Sequence, residues 1–328
     1  MPIQDVLIVG SGPAAMSAAL TLGRASLDTL VLSAERPRNR MVKASHNLYT
    51  RDGASPGELL DAAKTQLHRY PSVRYLNRKV LRIDEDTSTQ TDAARTFTAQ
   101  DAQGEQHTAR RVILAVGMQD DLSRVGIPDL EAVYGRSVFP CPFCDGFEHR
   151  TDALAVFTLG SEPALLEHYL AMIRTLSSPQ LTWFANGQPV APELREALAA
   201  RDIPVELAPI QALEHQDGQL RAVVLEGGRR IPRDAGFVGG AYAQPNPLLA
   251  QLGLETEPHP MAGWPVAVSQ PMGQSSRPGI YLAGDVRMGF AGLAQAAFQG
   301  TQCASGIVGE IAMARWSAGG SPDGSATR

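Results

Sequence analysis

The chain has 328 residues, 44% of them apolar, with 34 acidic against 29 basic side chains, a net charge of −5 and a pI near 5.8. That length exceeds one ordinary domain and suggests two, and an acidic balance without a basic run argues against nucleic acid and anionic membrane surfaces as partners. No apolar stretch approaches the roughly 20 residues of a membrane span, and three cysteines, two of them close in sequence, suit a reducing cytoplasm where the pair is chemical and not a staple.

Met1-Pro2-Ile3-Gln4-Asp5 has no basic region before its apolar run, and that run ends at a glycine loop, so a strand is expected and not a signal peptide. Val6-Leu7-Ile8-Val9 is apolar and β-branched, as a buried parallel strand should be. It runs into Gly10-Ser11-Gly12-Pro13-Ala14-Ala15, a helix from Met16 to Leu27, and a second strand at Thr29-Leu30-Val31-Leu32. Strand, glycine loop, helix and strand within this span form a dinucleotide-binding unit. Gly10 permits the tight turn, Gly12 lets backbone approach a pyrophosphate, Ala15 keeps helix and strand close, and the helix start offers N–H groups to phosphate. At the end of the second strand Ser33 stands where a ribose-binding acid is common. Glu35, two residues on, reads equally as that acid or as a solvated charge.

Arg36 to Arg51 is a polar loop whose cations face either solvent or cofactor phosphates. Ser55-Pro56-Gly57-Glu58 is a helix start, with the helix expected to run to about Arg69. Val73 to Asp84 reads as a strand pair, Arg95 to Ala109 as a hairpin turning at Gln103-Gly104, and Arg111 to Gly117 as a separate buried strand. After it, near Met118, a domain boundary is expected.

The middle segment carries Cys141-Pro142-Phe143-Cys144-Asp145-Gly146. Two thiols so spaced can close and reopen a small disulfide ring. A structural zinc site needs four ligands, and neither a second Cys pair nor a spaced His pair is present. The bland alternative is two small buried residues. Ala153 to Phe157, Ala164 to Leu176 and Leu181 to Phe184 then repeat the strand, helix and strand of the chain start. The turn between them, Thr158-Leu159-Gly160-Ser161-Glu162-Pro163, keeps one glycine, and the second strand ends Ala185-Asn186-Gly187 with no cation for a 2′-phosphate. Pro192 to Arg201 reads as a helix, Val205 to Ile231 as strands turning at Gln216-Asp217-Gly218, and Gly236 to Gly240 closes the segment. Ile280 to Leu282, Ala283-Gly284-Asp285-Val286 and a long helix from Leu293 to Ala314 return to the character of the first domain, followed by a Gly, Ser and Pro tail.

With these pieces in this order, the chain from Asp5 to about Ala314 resembles the low-molecular-weight thioredoxin reductase family of two-domain flavoproteins. The resemblance implies an α/β fold of two Rossmann-like, three-layer domains, the second inserted in the first. The FAD-binding domain would comprise 1–117 and 242–328, with a disordered tail after about 316, and an NAD(P)H-binding-like domain, 118–241, would carry the redox cysteines. It further implies that Gly10 to Ala15 hold FAD, that Gly284 and Asp285 meet the ribityl chain, and that Gln295 and Ala296 lie against the flavin ring. His46 would be structural or flavin-adjacent. Cys144 would be the sulfur nearest the flavin, Cys141 the exposed sulfur that exchanges with substrate, and Asp145 the proton relay. A homodimer, and a thioredoxin-like protein or a small dithiol as partner, follow from the same resemblance.

The departures shape the function. Thioredoxin reductases place a three-glycine turn and a His-Arg-Arg where this chain has Leu159-Gly160-Ser161 and Phe184-Ala185-Asn186-Gly187, and a basic residue beside Gln295 where this chain has Ala294. Pro142, with Phe143 and Phe147 about the second cysteine, is similar to the dithiol oxidases that close disulfides in gliotoxin and holomycin, which need no NADPH and return electrons to oxygen. Asp145 points the other way, since those oxidases have His there and the reductases Asp. The expectation is an FAD-dependent dithiol oxidation with poor use of NADPH. Thioredoxin reduction is the alternative, and a non-enzymatic flavin-binding protein is a third reading against which the intact Cys pair argues.

Overall fold

The computed structural model describes residues 3–86, 95–158, 163–239, 246–259 and 265–317. The glycine-poor turn at Leu159 to Glu162, the segment around 242 and the tail after 317 lie outside those residues. The strands are β1 (Gln4–Val9), β2 (Thr29–Ser33), β3 (Val73–Asn77), β4 (Val80–Glu85), β5 (Phe97–Asp101), β6 (Gln106–Leu114), β7 (Val138–Phe139), β8 (Leu154–Thr158), β9 (Leu181–Phe184), β10 (Val205–Glu206), β11 (Ile210–Gln216), β12 (Gln219–Leu225), β13 (Arg230–Pro232), β14 (Ala235–Gly239), β15 (Thr256–Pro258), β16 (Pro265–Ala267) and β17 (Ile280–Leu282). The α-helices are α1 (Pro13–Arg24), α2 (Pro56–Leu67), α3 (Leu130–Val133), α4 (Pro142–Asp145), α5 (Pro163–Leu176), α6 (Pro192–Ala199), α7 (Pro247–Gln251), α8 (Asp285–Met288) and α9 (Leu293–Ser317).

The alternation in Val6-Leu7-Ile8-Val9 sorts the first core into two faces. Val6 and Ile8 point toward α1 and α9, where Ala18, Leu22 and Ile307 pack. Leu7 and Val9 point toward Phe97 and Ala99 of the antiparallel layer and Leu248 of α7. Each of these large apolar side chains, fully buried, stabilises the fold by roughly 1.5–3 kcal/mol. The sheet runs β3-β2-β1-β6-β5-β4, with β17 parallel to β6. It therefore accepts strands from the chain start and from residues 280–282, with the middle segment lying between them in sequence.

Two expected details change. The hairpin arm and the buried strand expected at Arg111 are one strand, β6. Its first half pairs antiparallel with β5 (Phe97↔Ala109) and its second half parallel with β1 (Val6↔Arg111). Arg110 and Arg111 look like a break, but no Gly or Pro stands there, and the strand carries straight through. The strand pair expected between Val73 and Asp84 is two strands that do not pair with each other, since β3 joins β2 and β4 joins β5. Helix α1 begins earlier than expected, at Pro13, whose fixed φ suits the first helical position, and it ends at Arg24 before Ser26 turns left-handed (φ 56°). Ser55 and Glu58 form the expected capping box of α2.

The second set repeats the three layers. Parallel strands β10-β9-β8-β14-β7 carry α5 and α6 on one face, against Val156, Trp183 and Phe237. The antiparallel β11-β12-β13 covers the other face, against Phe157, Phe184 and Val238. Among the described residues no helix is long and apolar enough to cross a membrane.

Candidate active site

The redox turn is built by a proline in a permitted place. Chain leaving β7 reaches Cys141, which is extended (φ −133°, ψ 108°) and caps α4, and Pro142 takes the first helical position. Cys144 and Asp145 N–H groups both donate to the Cys141 carbonyl, at 3.1 and 3.2 Å. Three residues apart on one turn, the two sulfurs share a face. Both are free thiols. Gly146 ends the turn because α5 ends there. A Cβ on it would overlap the Pro142 carbonyl and stand 2.8 Å from that of Leu176.

The cysteines are unequal. The S–H of Cys144 pulls the Cys141 thiol down, and the N–H groups of Cys144 and Phe143 add to this. Cys144, as the partner of that sulfur, is pushed up, with desolvation adding to this and Arg38 opposing. Cys141, at the start of a helical turn, is the thiol whose acidity the surroundings favour. The expected exposure of Cys141 is corrected. It is 4% exposed while Cys144 is partly exposed, because Cys141 sits just beyond the buried strand β7, at the cap of α4. Cys303 stands apart on α9, its thiol pushed up to about 11 by burial and donating to the Leu282 carbonyl at 3.2 Å.

Asp145 follows Cys144, and burial pushes its carboxyl up to about 7. Nearby Glu148 raises it further and His46 pulls it back. His46 comes from the polar loop after β2. Its Nε2 is 3.6 Å from Glu148 and its Nδ1 is 3.5 Å from Asp52. The neighbouring Asn47 amide donates to the Phe143 carbonyl at 2.6 Å. Phe143 and Phe147 stand out from the turn, 59% and 68% exposed, with the Arg150 guanidinium 4.2 Å from the Phe147 ring centre.

Arg38 of the same loop is the hub on the other side. It pairs with Asp120 at 2.7 Å and Asp285 at 3.6 Å, lies 4.9 Å over the Phe290 ring, and is close enough to Cys144 to lower its pKa. Burial pushes the Asp285 carboxyl up, against Arg38 and the Ala291 N–H, which donates at 2.7 Å. Gly284 (φ 85°) precedes it and donates to Gln299 Oε1 at 2.8 Å. Ala296 is buried in the first turns of α9, and Gln295 is exposed beside the Met288 sulfur at 3.4 Å.

The glycine turn meets this group from the chain start. Gly10 (φ 131°) has no room for a Cβ, which would overlap the Ala115 carbonyl, whereas Gly12 has nothing within 4 Å of that position. Gly12 caps α1 with no side-chain bond. The first intrahelical donor is Met16 to Gly12, which leaves the Ala14 and Ala15 N–H groups open at the helix start. Ser11 is buried, and the Tyr75 hydroxyl donates to Glu35 at 3.1 Å. Burial pushes the Tyr75 phenol up to about 12. Glu35 (φ 53°) is no loose surface charge. Lys64 reaches it at 2.5 Å and holds its carboxyl below the usual range.

The structure thus brings together Gly10 to Ala15, Gly284, Asp285 and Ala296, for a Cβ on Gly284 would lie 3.4 Å from that of Ala14. Arg38 joins Asp285 to the cysteine turn. The sequence reading missed Arg38, His46 as a neighbour of Asp145, Tyr75 and Gln299. Of these, Gln299 had a signal, as the polar residue within the apolar stripe Ala296, Gly300, Cys303, Ala304 and Ile307.

Residues 4–301 match the family model described as pyridine nucleotide-disulphide oxidoreductase. The chain belongs to that family. The oxidoreductase is 31% identical over 290 residues to thioredoxin reductase tcpT of Claviceps purpurea (strain 20.1), covering 86% of each chain. Its fold matches the crystal structure of TrxB from Bacillus anthracis with a TM-score of 0.86 at 30% identity, over 95% of this chain and 99% of that one. The crystal structure of HlmI matches with a TM-score of 0.86 at 26% identity, over 97% and 95%. The fold is thioredoxin reductase-like, with two Rossmann-like units, and the chain is an enzyme of disulfide oxidoreduction.

In the oxidoreductase the side chains just after β9 are tied to neighbouring backbone. Asn186 (φ 49°) follows β9, where a 2′-phosphate reader would stand. Its carbonyl accepts the Ile210 N–H at 2.8 Å and its amide reaches the Gly126 carbonyl at 3.4 Å. The Gln188 amide folds across to the Thr158 carbonyl at the tip of β8, at 3.0 Å, and the Trp183 indole N–H meets the Thr158 hydroxyl at 3.1 Å.

Proposed function

We propose that this chain binds FAD and oxidises a small dithiol through the Cys141–Cys144 disulfide, with oxygen as the final acceptor. The single observation that carries the reading is Arg38, one guanidinium paired with Asp285 and within electrostatic reach of Cys144.

The residues fit FAD. Gly12 leaves open space before an uncapped helix start, and a diphosphate needs that space and those N–H groups. The bonds from Lys64 and Tyr75 both fall on Glu35 Oε1, so Oε2 is the atom to take a ribose hydroxyl. Asp285, its carboxyl raised by burial, would face the ribityl hydroxyls, and Ala296 with Gln295 would border the ring. FAD, when bound, supplies the two-electron acceptor that no side chain provides. The division into 1–117 with 242–328 and 118–241 belongs to the same proposal.

The thiol chemistry belongs to the turn. A substrate thiolate attacks a sulfur of the disulfide, and the second substrate thiol resolves the mixed disulfide, so the substrate leaves oxidised and the pair reduced. Cys144, next to Arg38, is the sulfur assigned to the flavin side, and Cys141 exchanges with substrate. Cys141 is recessed at 4% exposure, which admits a slim dithiol more readily than a protein disulfide. The tying of the Asn186 and Gln188 side chains to neighbouring backbone supports electron entry by the dithiol and not by NADPH. Asp145 in place of His keeps thioredoxin reduction as the second reading.

The test is anaerobic stopped-flow absorbance of the flavin. Dithiothreitol should bleach it at least tenfold faster than NADPH, with oxygen restoring the colour and yielding hydrogen peroxide. Full bleaching by stoichiometric NADPH at about 10 per second, a typical turnover rate, would overturn the oxidase reading. The homodimer and a reducing, cytoplasmic setting are further parts of the proposal, and light scattering decides the first.

A further inference from the structure

Between β2 and α2 the first unit sends out a loop whose contacts fall on the second. Arg38 donates to both Asp120 oxygens, at 2.7 to 3.2 Å. Tyr134, buried in the second unit's core, donates its hydroxyl to the same carboxylate at 2.6 Å. Met41 lies on Gly135 so closely that a Cβ there would stand 2.7 Å from the Met41 Cβ. Val42 packs on the cluster that holds Phe139, Val156 and Phe237. Asn47 then reaches the redox turn itself, its side-chain amide donating to the Phe143 carbonyl at 2.6 Å. That carbonyl belongs to the peptide leading into Cys144, between the two sulfurs.

The loop is held in the shape that makes this reach. Ser45 N–H donates to the Ala54 carbonyl at 2.8 Å, Gly53 N–H to that of Ser45 at 2.9 Å, and the Asn39 amide to the Ser45 hydroxyl at 3.1 Å. Asn47 is left-handed at φ 62°, where asparagine is enriched among residues with a side chain, and its N–H donates to Asp52 at 2.8 Å. At the other end Arg38 keeps its hold on the first unit, 3.6 Å from Asp285 and 4.9 Å over the Phe290 ring.

We infer that residues 38–47 are a clasp between the two units, and that Asn47 is a positioning residue for the Cys141–Cys144 turn. This rests on the reading of that pair as the redox centre and not on which dithiol reduces it. Two units of one chain move relative to each other by default unless contacts between them prevent it. Here Met41 and Val42 supply the apolar contact, and Arg38 and Asn47 fasten it at either end. A turn so held keeps the pair where it passes its electrons on. In that step the two thiols close to a disulfide. Their two electrons go to the flavin proposed above, and their two protons go to flavin and solvent. A released turn still exchanges with a dithiol in solution, because that needs only the sulfurs, but it delivers electrons to the flavin less often.

The experiment compares the holoprotein with its N47D and Y134F variants. N47D keeps the shape and the tolerance of a left-handed backbone, but puts an acceptor where the Phe143 carbonyl needs a donor. Y134F takes the hydroxyl from Asp120. Amide hydrogen exchange of the reduced protein is followed by mass spectrometry. The turn, residues 140–148, should exchange about fivefold faster in N47D, the factor that one hydrogen bond is worth, and faster by a smaller factor in Y134F, while β8 exchanges as before. Anaerobic dithiothreitol then separates the two steps, with alkylation after an acid quench counting the thiols and absorbance following the flavin. N47D should leave thiol formation unchanged and slow flavin bleaching by about the same fivefold. Turn exchange that keeps its rate in both variants, or rises equally in β8, would overturn the clasp. Thiol formation and bleaching slowed alike would overturn the positioning role of Asn47. If the unaltered pair never forms a disulfide, the redox reading falls, while hydrogen exchange still decides whether the loop holds the turn. Y134F keeps the test alive if N47D does not fold.

Discussion

At the tip of β1 the chain passes through Gly10 and Gly12 into a helix whose first N–H groups are left open. At the tips of β8 and β9, in a unit of the same topology, the Gln188 amide donates to the Thr158 carbonyl, while the Asn186 side chain is taken by the Ile210 N–H and the Gly126 carbonyl. A parallel sheet presents its strand ends as a ready ligand crevice. Whether that crevice binds depends on what the next few residues do with their donors and acceptors. An open helix start attracts an anion, whereas side-chain amides already committed to backbone partners are not free to bind a phosphate.

The sharpest break of this contrast is a methyl group. Gly10→Ala forces a Cβ into the Ala115 carbonyl at φ 131° and should cost about 3–5 kcal/mol, with loss of flavin on gel filtration. Gly187→Ala, at φ 74° with Pro209 Cγ 3.2 Å away, should cost about 1 kcal/mol and leave the flavin bound. Urea denaturation of both variants measures the gap, and equal losses would erase it.

Asp145, on α4 of the second unit, gives the next largest effect. Its carboxyl is raised to about 7 in the fold. The protonated form is favoured, so its contribution is complete at pH below the ordinary carboxylate range and is lost as pH rises through 7. Asp145→Asn should therefore stabilise the protein by roughly 2–4 kcal/mol at pH 8 and by little at pH 4, as read from urea midpoints at the two pH values.

After β9, Asn186→Ala leaves the Ile210 N–H without its 2.8 Å acceptor and should cost about 1–2 kcal/mol. It should leave bleaching by NADPH slow, because no cation is gained. A variant that NADPH bleaches quickly would show that the amides alone close the crevice. The smallest effect should come from Tyr75→Phe, which removes the hydroxyl that donates to Glu35. About 1 kcal/mol, or a few-fold weaker FAD binding in a fluorescence titration, is expected.

Much of this was legible in sequence where the signal is local. The strand, glycine turn and helix at Val6 to Arg24, the capping box at Ser55, and the Cys-Pro-Phe-Cys turn are each local in sequence, where spacing encodes geometry. Arg38 was not legible, because its partners Asp120 and Asp285 stand 82 and more residues away. Nor was the bond from Asn47 to the Phe143 carbonyl, 96 residues on. A loop of arginines looks the same whether it faces water or a buried acid. The exposure of Cys141 was misjudged for a related reason. Spacing puts two sulfurs on one face, but which one sinks depends on the strand before the turn. Strand β6 was split because a pair of charges looked like an end, when the strand simply passes from one layer to the next.

Gly300 has a consequence for how the protein is made. A Cβ on it would overlap the Ala14 carbonyl, so α9 rests directly on the backbone that opens α1, and Ala304 and Ile307 finish the core begun by Val6 and Ile8. Ribosomes add about 5–20 residues per second, so the glycine turn waits on the order of ten seconds or more for its covering helix. During that interval the nascent amino-terminal half keeps an apolar helix face bare, and the free β6 edge that β17 will take invites wrong pairings. The middle segment, whose strands β7 to β14 pair among themselves, can meanwhile fold to completion. Synthesis should therefore deliver the cysteine turn before the site it serves, and a trigger-type chaperone would be expected to dwell on residues 4–114 until α9 emerges.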